Sequence, residues 1–232
     1  GFEEGLASGG VVWAVDYLTA STRALLDGGE PAVSAKGLDV VVIGGGDTGN
    51  DCLGTAVRQG ARSVRQIEFL PRPAEPGPGA TRWPEWPATL KTDYGQQEAI
   101  ELMGGEMRSW GVDTLEVLLD ADGSVRGLSV ADLDWSSGRP ERVDGAEREI
   151  SAQLVLVACG FTGPERGLLD AFGVRTNSRG LPVTAPGAHR TENANETPLY
   201  LAGDVRTGSS LVVNAIADAV ACTREVMTAL GA

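Results

Sequence analysis

Six consecutive residues, Gly44-Gly-Gly-Asp-Thr-Gly49, have the types and the G-x-G-x-x-G spacing that could bind a dinucleotide. They directly follow the apolar, β-branched run Leu38–Ile43 and precede a stretch with helical spacing, which predicts a strand, a tight turn and a helix. In that setting Gly44 permits the turn, Gly46 lets the backbone approach a pyrophosphate, and Gly49 lets helix and strand pack closely. The helix N-terminus adds free N–H groups and a positive dipole. A Rossmann-type dinucleotide site is therefore predicted.

The end of the next predicted strand, Val64–Leu70, bears on the choice between NADH and NADPH. Glu68 lies about 20 residues beyond the glycine turn, where a carboxylate accepts a hydrogen bond from the ribose 2′-OH of NAD. Arg72 follows, and a guanidinium there can pair with the 2′-phosphate of NADP. Two alternatives stay open: Arg72 as a solvated loop residue, and Glu68 facing the core side of the strand end. We expect NADPH, with NADH as the alternative.

A second candidate site lies near the C-terminus, where the predicted strand Leu199–Asp204 ends in Gly203 and Asp204. A carboxylate at a strand end can accept a hydrogen bond from a polyol hydroxyl, such as that of a flavin ribityl chain. The helix predicted to start near Ser209-Ser210 would point its N–H groups at a flavin pyrimidine, where negative charge grows on reduction. The alternative is an ordinary helix-capping turn.

Apolar periodicity predicts the helices that position these residues. One covers Val11–Leu26 and ends at Gly28, and another covers Asn50–Gln59 after the glycine turn. The apolar side of the last helix is expected to be buried; its members are Val212, Ile216, Ala219, Val220, Val226 and Leu230.

Further strands are predicted between and after these helices. Two should flank Asp122-Gly123 within residues 113–135, because this dipeptide favours a hairpin turn, and a third should lie near residues 147–150. Leu154–Ala158 has the apolar pattern of another buried strand. Residues 71–87 are rich in proline and are predicted to form an irregular loop, long enough to be a lid.

Composition and charge exclude several classes of partner. The 232 residues carry a formal net charge of −13, which repels phosphate backbones and anionic lipids, so neither nucleic acid nor a membrane is expected as a partner. No apolar run approaches the ~20 residues that span a bilayer, and no signal-peptide pattern is present, so a cytoplasmic protein is expected. The first residue is Gly rather than Met, which suggests a chain trimmed from a longer one.

The residue types that commonly bind metals are too scattered to predict a metal site. Cys52, Cys159 and Cys222 are odd in number, far apart and without C-x-x-C spacing, which argues against disulfides, zinc and iron–sulfur clusters. All three are expected to be reduced core thiols. The single histidine, His189, lies in a polar stretch containing proline and is expected on a surface loop without a role.

Taken together, these segments resemble the small (β) subunit of glutamate synthase, in the glutathione-reductase-like superfamily of flavoproteins. The resemblance runs from about residue 10 to the end. It is carried by Val41–Cys52, Glu68–Pro73, Trp83–Pro87, Thr92–Gly95, Ala158–Glu165, Leu201–Val205 and Ser210–Val213.

The resemblance implies an α/β fold and two cofactors. It implies a linker and helix over residues 1–36, a Rossmann-like NAD(P)-binding domain with a three-stranded β-meander crossover over 37–158, and the C-terminal part of a split FAD-binding domain over 159–232. The residues implied to contact the NAD(P)H pyrophosphate are Gly44, Gly46, Asp47, Thr48 and Gly49. Those implied to contact FAD are Gly203, Asp204, Leu211 and Val212.

The implied reaction passes a hydride from NAD(P)H to the FAD N5, and then single electrons through iron–sulfur clusters to a large subunit that makes glutamate. Hydride transfer needs no side-chain acid, base or nucleophile, so no catalytic residue is expected. The first half of the FAD domain and the cluster domain of the family are missing, and Asn214 stands where family members tend to have Trp. The chain is therefore expected to bind NAD(P)H but to be inactive alone.

Two other functions remain open at this stage. One is a stand-alone NAD(P)H-sensing module without catalysis, which should have a closed C-terminal surface. The other is a flavoprotein resembling ferredoxin:NADP reductase. An exposed apolar patch would favour an enzyme part over the closed module.

Overall fold

The computed structural model describes residues 1–75, 89–193 and 197–231. The Trp83–Pro87 segment and most of the expected lid at 71–87 lie outside these ranges. The chain divides into two compact units, Gly1–Gly160 and Phe161–Ala232. Nothing in the described part forms a helix long and apolar enough to cross a lipid bilayer.

Strands and helices alternate over the first part of the first unit, which ends in a run of strands, and helices predominate among the regular elements of the second unit. The strands are β1 (Val11–Trp13), β2 (Asp39–Ile43), β3 (Ser63–Glu68), β4 (Arg108–Trp110), β5 (Val112–Leu119), β6 (Val125–Asp134), β7 (Glu141–Ser151) and β8 (Leu154–Val157). The helices are α1 (Phe2–Ala7), α2 (Ala14–Asp27), α3 (Asp47–Arg58), α4 (Tyr94–Met103), α5 (Arg166–Ala171), α6 (Asp204–Thr207) and α7 (Val212–Leu230).

A parallel five-stranded sheet, in the order β1-β8-β2-β3-β4, forms the centre of the first unit. Strand β2 pairs on both sides, with β3 and β8, and its residues Val40, Val41 and Val42 are buried. This explains its unbroken β-branched sequence, because a strand covered on both faces has no polar side. The predicted strand, turn and helix are confirmed, although α3 begins at Asp47, three residues before the predicted start.

The antiparallel sheet β5-β6-β7 confirms the predicted meander. Its first hairpin turns at Asp122-Gly123, where Gly123 has φ +86° and the Asp122 carboxylate accepts hydrogen bonds from the Ser124 backbone and hydroxyl. The meander lies between β4 and β8 in the chain, so it replaces the helix that usually connects two parallel strands. The mixed α/β fold class is as predicted.

The predicted elements at the two ends of the chain need three corrections. Residues Val11–Trp13 form strand β1 rather than the start of a helix, because they pair with β8; the helix itself begins at Ala14 and ends at Gly28 as predicted. Leu199–Asp204 is not a regular strand, because within the described part only Tyr200 pairs, in an isolated bridge with Arg190.

The predicted burial of the last helix is also wrong. Helix α7 begins at Val212 without a side-chain cap, and Cys222 is its buried residue. Val226 is half-buried, and the other five residues expected in the core are exposed, with Val212 at 73% and Ile216 at 60%. The rest of the second unit instead packs against another side of α7, which carries Asp218, Cys222 and Glu225.

Candidate functional site

The glycine turn connects β2 to α3, and two of its glycines are required by the fold. Gly44 has φ +116°, and a Cβ there would lie 2.3 Å from the carbonyl oxygen of Ala158. A Cβ on Gly49 would lie 2.2 Å from the carbonyl oxygen of Gly44. The backbone at both positions lies too close to a neighbouring carbonyl group to leave room for a side chain, so the first and third glycines allow close packing of backbone on backbone.

Gly46 differs from these two glycines because it faces open space. Its φ of −76° is ordinary for any residue, and a Cβ there would meet nothing within 4 Å. The absence of a side chain at Gly46 therefore serves no packing purpose among the described residues. It leaves the turn's backbone accessible from the cleft, as binding a pyrophosphate requires.

A cleft of about 660 Å³ opens in front of the turn. Its walls come from the turn itself, the end of β3, the start of β5 and the residues after β8, so the meander and the carboxyl ends of parallel strands enclose it together. The lining residues include Asp47, Thr48, Glu68, Phe69, Val112, Asp113, Thr114, Cys159 and Gly160. No side chain caps the first turn of α3, which leaves N–H groups directed at this space.

The side chain of Glu68 points at the glycine turn rather than toward the core side of the strand end. Its carboxylate accepts hydrogen bonds from the backbone N–H of Gly45 at 2.5 Å and from that of Leu70 at 3.0 Å. A Cβ on Gly45 would lie 2.4 Å from the Glu68 carboxylate, so a side chain here would displace the carboxylate from this hydrogen bond. The middle glycine of the three was missed by sequence reasoning, which assigned roles only to the motif positions.

Gln66 holds the glycine turn by a hydrogen bond, and sequence reasoning did not predict this role either. Its side-chain amide donates to the Gly44 carbonyl at 2.9 Å, and its carbonyl accepts from the Gln96 amide at 3.1 Å. Gln66 is 1% exposed, so these hydrogen bonds are its compensation for burial. A polar residue on the same face of β3 as buried Val64 was the available signal.

Arg72 lies beside the cleft rather than in its wall. Its guanidinium pairs with Glu75 and stacks on the Trp110 ring at 5.3 Å from the centroid, while Arg108 lies 5.1 Å from the same centroid. Half of the Arg72 side chain is exposed. The structure thus assigns Arg72 an aromatic and a carboxylate partner in the free protein.

The three cysteines have different environments. Cys52 and Cys222 are buried, as predicted, whereas Cys159 is exposed and lines the cleft. Partial burial and the nearby Glu68 charge raise the pKa of the Cys159 thiol. The thiol is therefore protonated at neutral pH and is a weak nucleophile.

The second candidate site begins with a sharp turn at Gly203, which has φ +69°. Its N–H donates to the Asp218 carboxylate at 2.7 Å, and Asp204 follows as the first residue of α6. The Ser210 hydroxyl lies 3.5 Å from the Asp204 carboxylate, and Leu211 directly precedes the uncapped N-terminus of α7. The structure therefore places the four predicted residues, Gly203, Asp204, Leu211 and Val212, along one short stretch of the second unit.

His189 is buried and not on a surface loop as expected. It is 4% exposed; its Nδ1 lies 2.9 Å from the Glu225 carboxylate and its Nε2 lies 3.3 Å from that of Asp218. Both carboxylates come from one side of α7, and Asp218 also accepts from Arg206. Sequence reasoning missed the cluster because its members are far apart in the chain.

This cluster should make the second unit sensitive to acid. The Arg206 guanidinium, aided by the Gly203 N–H, holds the pKa of Asp218 well below its ordinary value, and the backbone N–H of His189 lowers the pKa of Glu225. A carboxylate with a lowered folded-state pKa contributes stability above its unfolded pKa of about 4 and loses it as the pH falls further. Wild type should therefore be more stable than Asp218→Asn at pH 7.

The difference in melting temperature between wild type and Asp218→Asn should shrink progressively below about pH 4, where the carboxylate of the unfolded wild type takes up a proton while that of the folded protein stays ionised. Thermal unfolding followed by circular dichroism between pH 7 and pH 2.5 measures this. Because both proteins share all other carboxylates, their difference isolates position 218. A difference that stays constant down to pH 2.5 would show that the Asp218 charge does not stabilise the fold.

Nearly the whole chain is similar to glutamate synthases. It is 37% identical to the glutamate synthase [NADPH] small chain of Bacillus subtilis over 96% of this chain and 46% of that one. It is 38% identical to the glutamate synthase [NADH] of Schizosaccharomyces pombe over 94% of this chain and 11% of that protein. The chain thus spans less than half the length of the curated relatives it matches. No protein-family profile matches it.

Solved structures share the fold. The thioredoxin reductase of T. acidophilum superposes with a TM-score of 0.62 at 20% identity, over 100% of this chain and 61% of that one. FprA of Mycobacterium tuberculosis in complex with NADPH superposes with a TM-score of 0.59 at 16% identity, over 97% and 59% of the two chains. These likenesses establish the α/β fold of such reductases for this chain.

Proposed function

We propose that this chain, a relative of the glutamate synthase small chains, is the part of such an enzyme that binds the reduced pyridine nucleotide. The single observation that carries the proposal is the open glycine position at residue 46, which faces a cleft of about 660 Å³ in front of an uncapped helix. That arrangement suits the pyrophosphate of a dinucleotide. The similarity to glutamate synthases supplies the class of enzyme.

The proposed roles of the chain's own residues are binding and orientation. The N–H groups of Asp47 and Thr48, at the start of α3, would donate to the pyrophosphate, and Gly46 would let it approach. The nicotinamide end would extend along the cleft toward Val112 and Gly160. With flavin bound in the complete enzyme, the flavin would supply the acceptor for the hydride.

The second unit is proposed to contribute to FAD binding. Gly203 and Asp204 would contact the ribityl chain, and Leu211 and Val212 would face the ring system, as the resemblance implies. The apolar side of α7 is exposed, with Val213 at 67% and Leu230 at 78%, which favours an enzyme part that works with further protein over a closed sensing module. In that setting residues 37–158 form the NAD(P) domain and residues 159–232 belong to the FAD domain.

We further propose that the complete enzyme passes its electrons to a glutamate synthase large subunit. The bacterial relatives are named as small chains, which implies a larger companion in those enzymes. In such a complex this chain would bind the nucleotide that donates the electrons. A catalytic side chain is not required for this role, because hydride transfer depends on distance and orientation.

A thermal shift experiment tests the nucleotide site. At 1 mM nucleotide and a dissociation constant of about 10 μM, binding should stabilise the folded protein by about 2.7 kcal/mol. For a chain of this size that corresponds to a rise of roughly 5–10 °C in melting temperature. If neither NADH nor NADPH raises the melting temperature at this concentration, the proposed nucleotide site is wrong. Adenosine alone, which lacks the pyrophosphate, is the control and should have a much smaller effect.

A further inference from the structure

We infer that Glu68 makes this site select NADH over NADPH. The inference rests on the proposed function, because it names which of the two hydride donors the same site accepts. One alternative that the sequence leaves open is that the Glu68 side chain faces the core side of the strand end. In the structure that side chain is turned toward the glycine turn and lines the cleft, where a bound dinucleotide would present its ribose.

Two backbone amides fix the Glu68 carboxylate in this position. A carboxylate offers about four lone-pair positions, of which the N–H groups of Gly45 and Leu70 use two. The remaining positions can accept hydrogen bonds from the two ribose hydroxyls of NADH. Rotating the side chain away from a larger substituent would break both backbone hydrogen bonds. Glu68 therefore favours a ligand that donates hydrogen bonds over one that brings a negative phosphate.

A second, smaller cavity of about 140 Å³ continues beyond Glu68, between the glycine turn and β4. It is lined by Gly45, Glu68, Lys91, Arg108 and Trp110, among others. A 2′-phosphate on the ribose would have to lie at this boundary, next to Glu68. The charges around the cavity therefore decide whether the phosphate is tolerated.

The cations beside this cavity in the described part of the chain already have carboxylate partners. Arg108, whose side chain is 6% exposed, pairs with Glu106 at 2.7 Å. Lys91 pairs with Asp93 at 2.6 Å and with Asp47 at 3.2 Å, and Arg72 pairs with Glu75.

These three cations face five carboxylates once Glu68 is included. A phosphate dianion would add two like charges to this group, and like charges at contact distance repel even at the effective dielectric of a protein surface. The neutral 2′-hydroxyl of NADH brings no such cost. We expect the dissociation constant for NADPH to exceed that for NADH by about 10- to 100-fold at low salt.

Isothermal titration calorimetry of the purified chain with NADH and with NADPH tests this inference. Wild type should bind NADH more tightly than NADPH. The ratio of the NADPH dissociation constant to the NADH dissociation constant should fall as salt rises from about 0.02 M to 0.5 M, because screening weakens the repulsion of the 2′-phosphate. Glu68→Gln should reduce the ratio at least fivefold, chiefly by tightening NADPH binding. Arg126→Ala is the matched control and should leave the ratio within twofold, since Arg126 pairs with Glu149 on the antiparallel sheet and lines neither cavity.

The outcomes separate the two proposals. Binding of neither nucleotide at millimolar concentration overturns the proposed function itself. Binding of NADPH as tightly as NADH by wild type overturns the role of Glu68 and leaves the nucleotide site standing. A large loss of NADPH affinity in Arg72→Ala would likewise overturn it, because Arg72 would then serve the 2′-phosphate. Should Glu68→Gln fail to fold, the wild-type ratio and its salt dependence still decide the matter.

Discussion

Replacing Gly46 with alanine is expected to weaken NADH binding about 100-fold while the protein folds as before. The backbone at position 46 has φ −76°, which alanine adopts without strain, and its Cβ would meet no protein atom within 4 Å. The methyl group would instead occupy space from which the pyrophosphate must reach the turn. Misplacing a bound group by about 1 Å can cost a factor of about 100. Calorimetry gives the affinity, and thermal unfolding checks the fold.

Gly105→Ala is the control for this substitution. Gly105 also has no atom within 4 Å of a built Cβ and lies outside the cleft, just after α4. It should change neither nucleotide affinity nor melting temperature by more than a small amount. Unaltered NADH affinity in Gly46→Ala would mean that the nucleotide does not approach the turn at this position.

Replacing Gly44 with alanine is expected to destabilise the first unit by about 3 kcal/mol or more. The φ of +116° is strained for any residue with a side chain, which costs about 1–3 kcal/mol. In addition, the new Cβ would lie 2.3 Å from the Ala158 carbonyl oxygen, so β8 or the turn must move. Strand β8 lies between β1 and β2 with Leu154, Val155 and Leu156 buried, and there a displacement spreads to closely packed neighbours.

Gly9→Ala separates the two contributions. Gly9 has φ +75°, but a Cβ there would meet nothing within 4 Å, so this variant suffers only the backbone cost, about 1 kcal/mol. Urea unfolding followed by tryptophan fluorescence measures both variants. If Gly44→Ala were no less stable than Gly9→Ala, the close approach of the turn to Ala158 would not matter for stability.

The parts of the fold that sequence reasoning predicted correctly depend on neighbouring residues. The unbroken apolar run of β2, the glycine spacing after it and the start of α3 lie within about 20 residues of each other. The hairpin at Asp122-Gly123 is likewise encoded in its own turn. Local patterns of this kind predict an element correctly where the pattern of apolar residues and the turn residues beside it indicate the same element.

The parts that were missed depend on distant partners. Val11–Trp13 became a strand because it pairs with Val155–Val157, far away in the chain, and helical periodicity in the neighbouring residues masked it. His189 is buried because Asp218 and Glu225 face it from α7. The direction of Glu68 is set by the N–H of Gly45, which no periodicity reveals.

The sheet order affects how this protein folds during its synthesis on the ribosome. Strand β8 is made last and yet lies between β1 and β2, so the two earliest strands cannot be joined until it arrives. One edge of β2 therefore stays unpaired while roughly a hundred further residues are synthesised, which takes on the order of 5–20 s. An unpaired apolar edge invites pairing with other chains. Nascent chains that end before residue 154 should consequently be the species most prone to aggregate and most in need of chaperones.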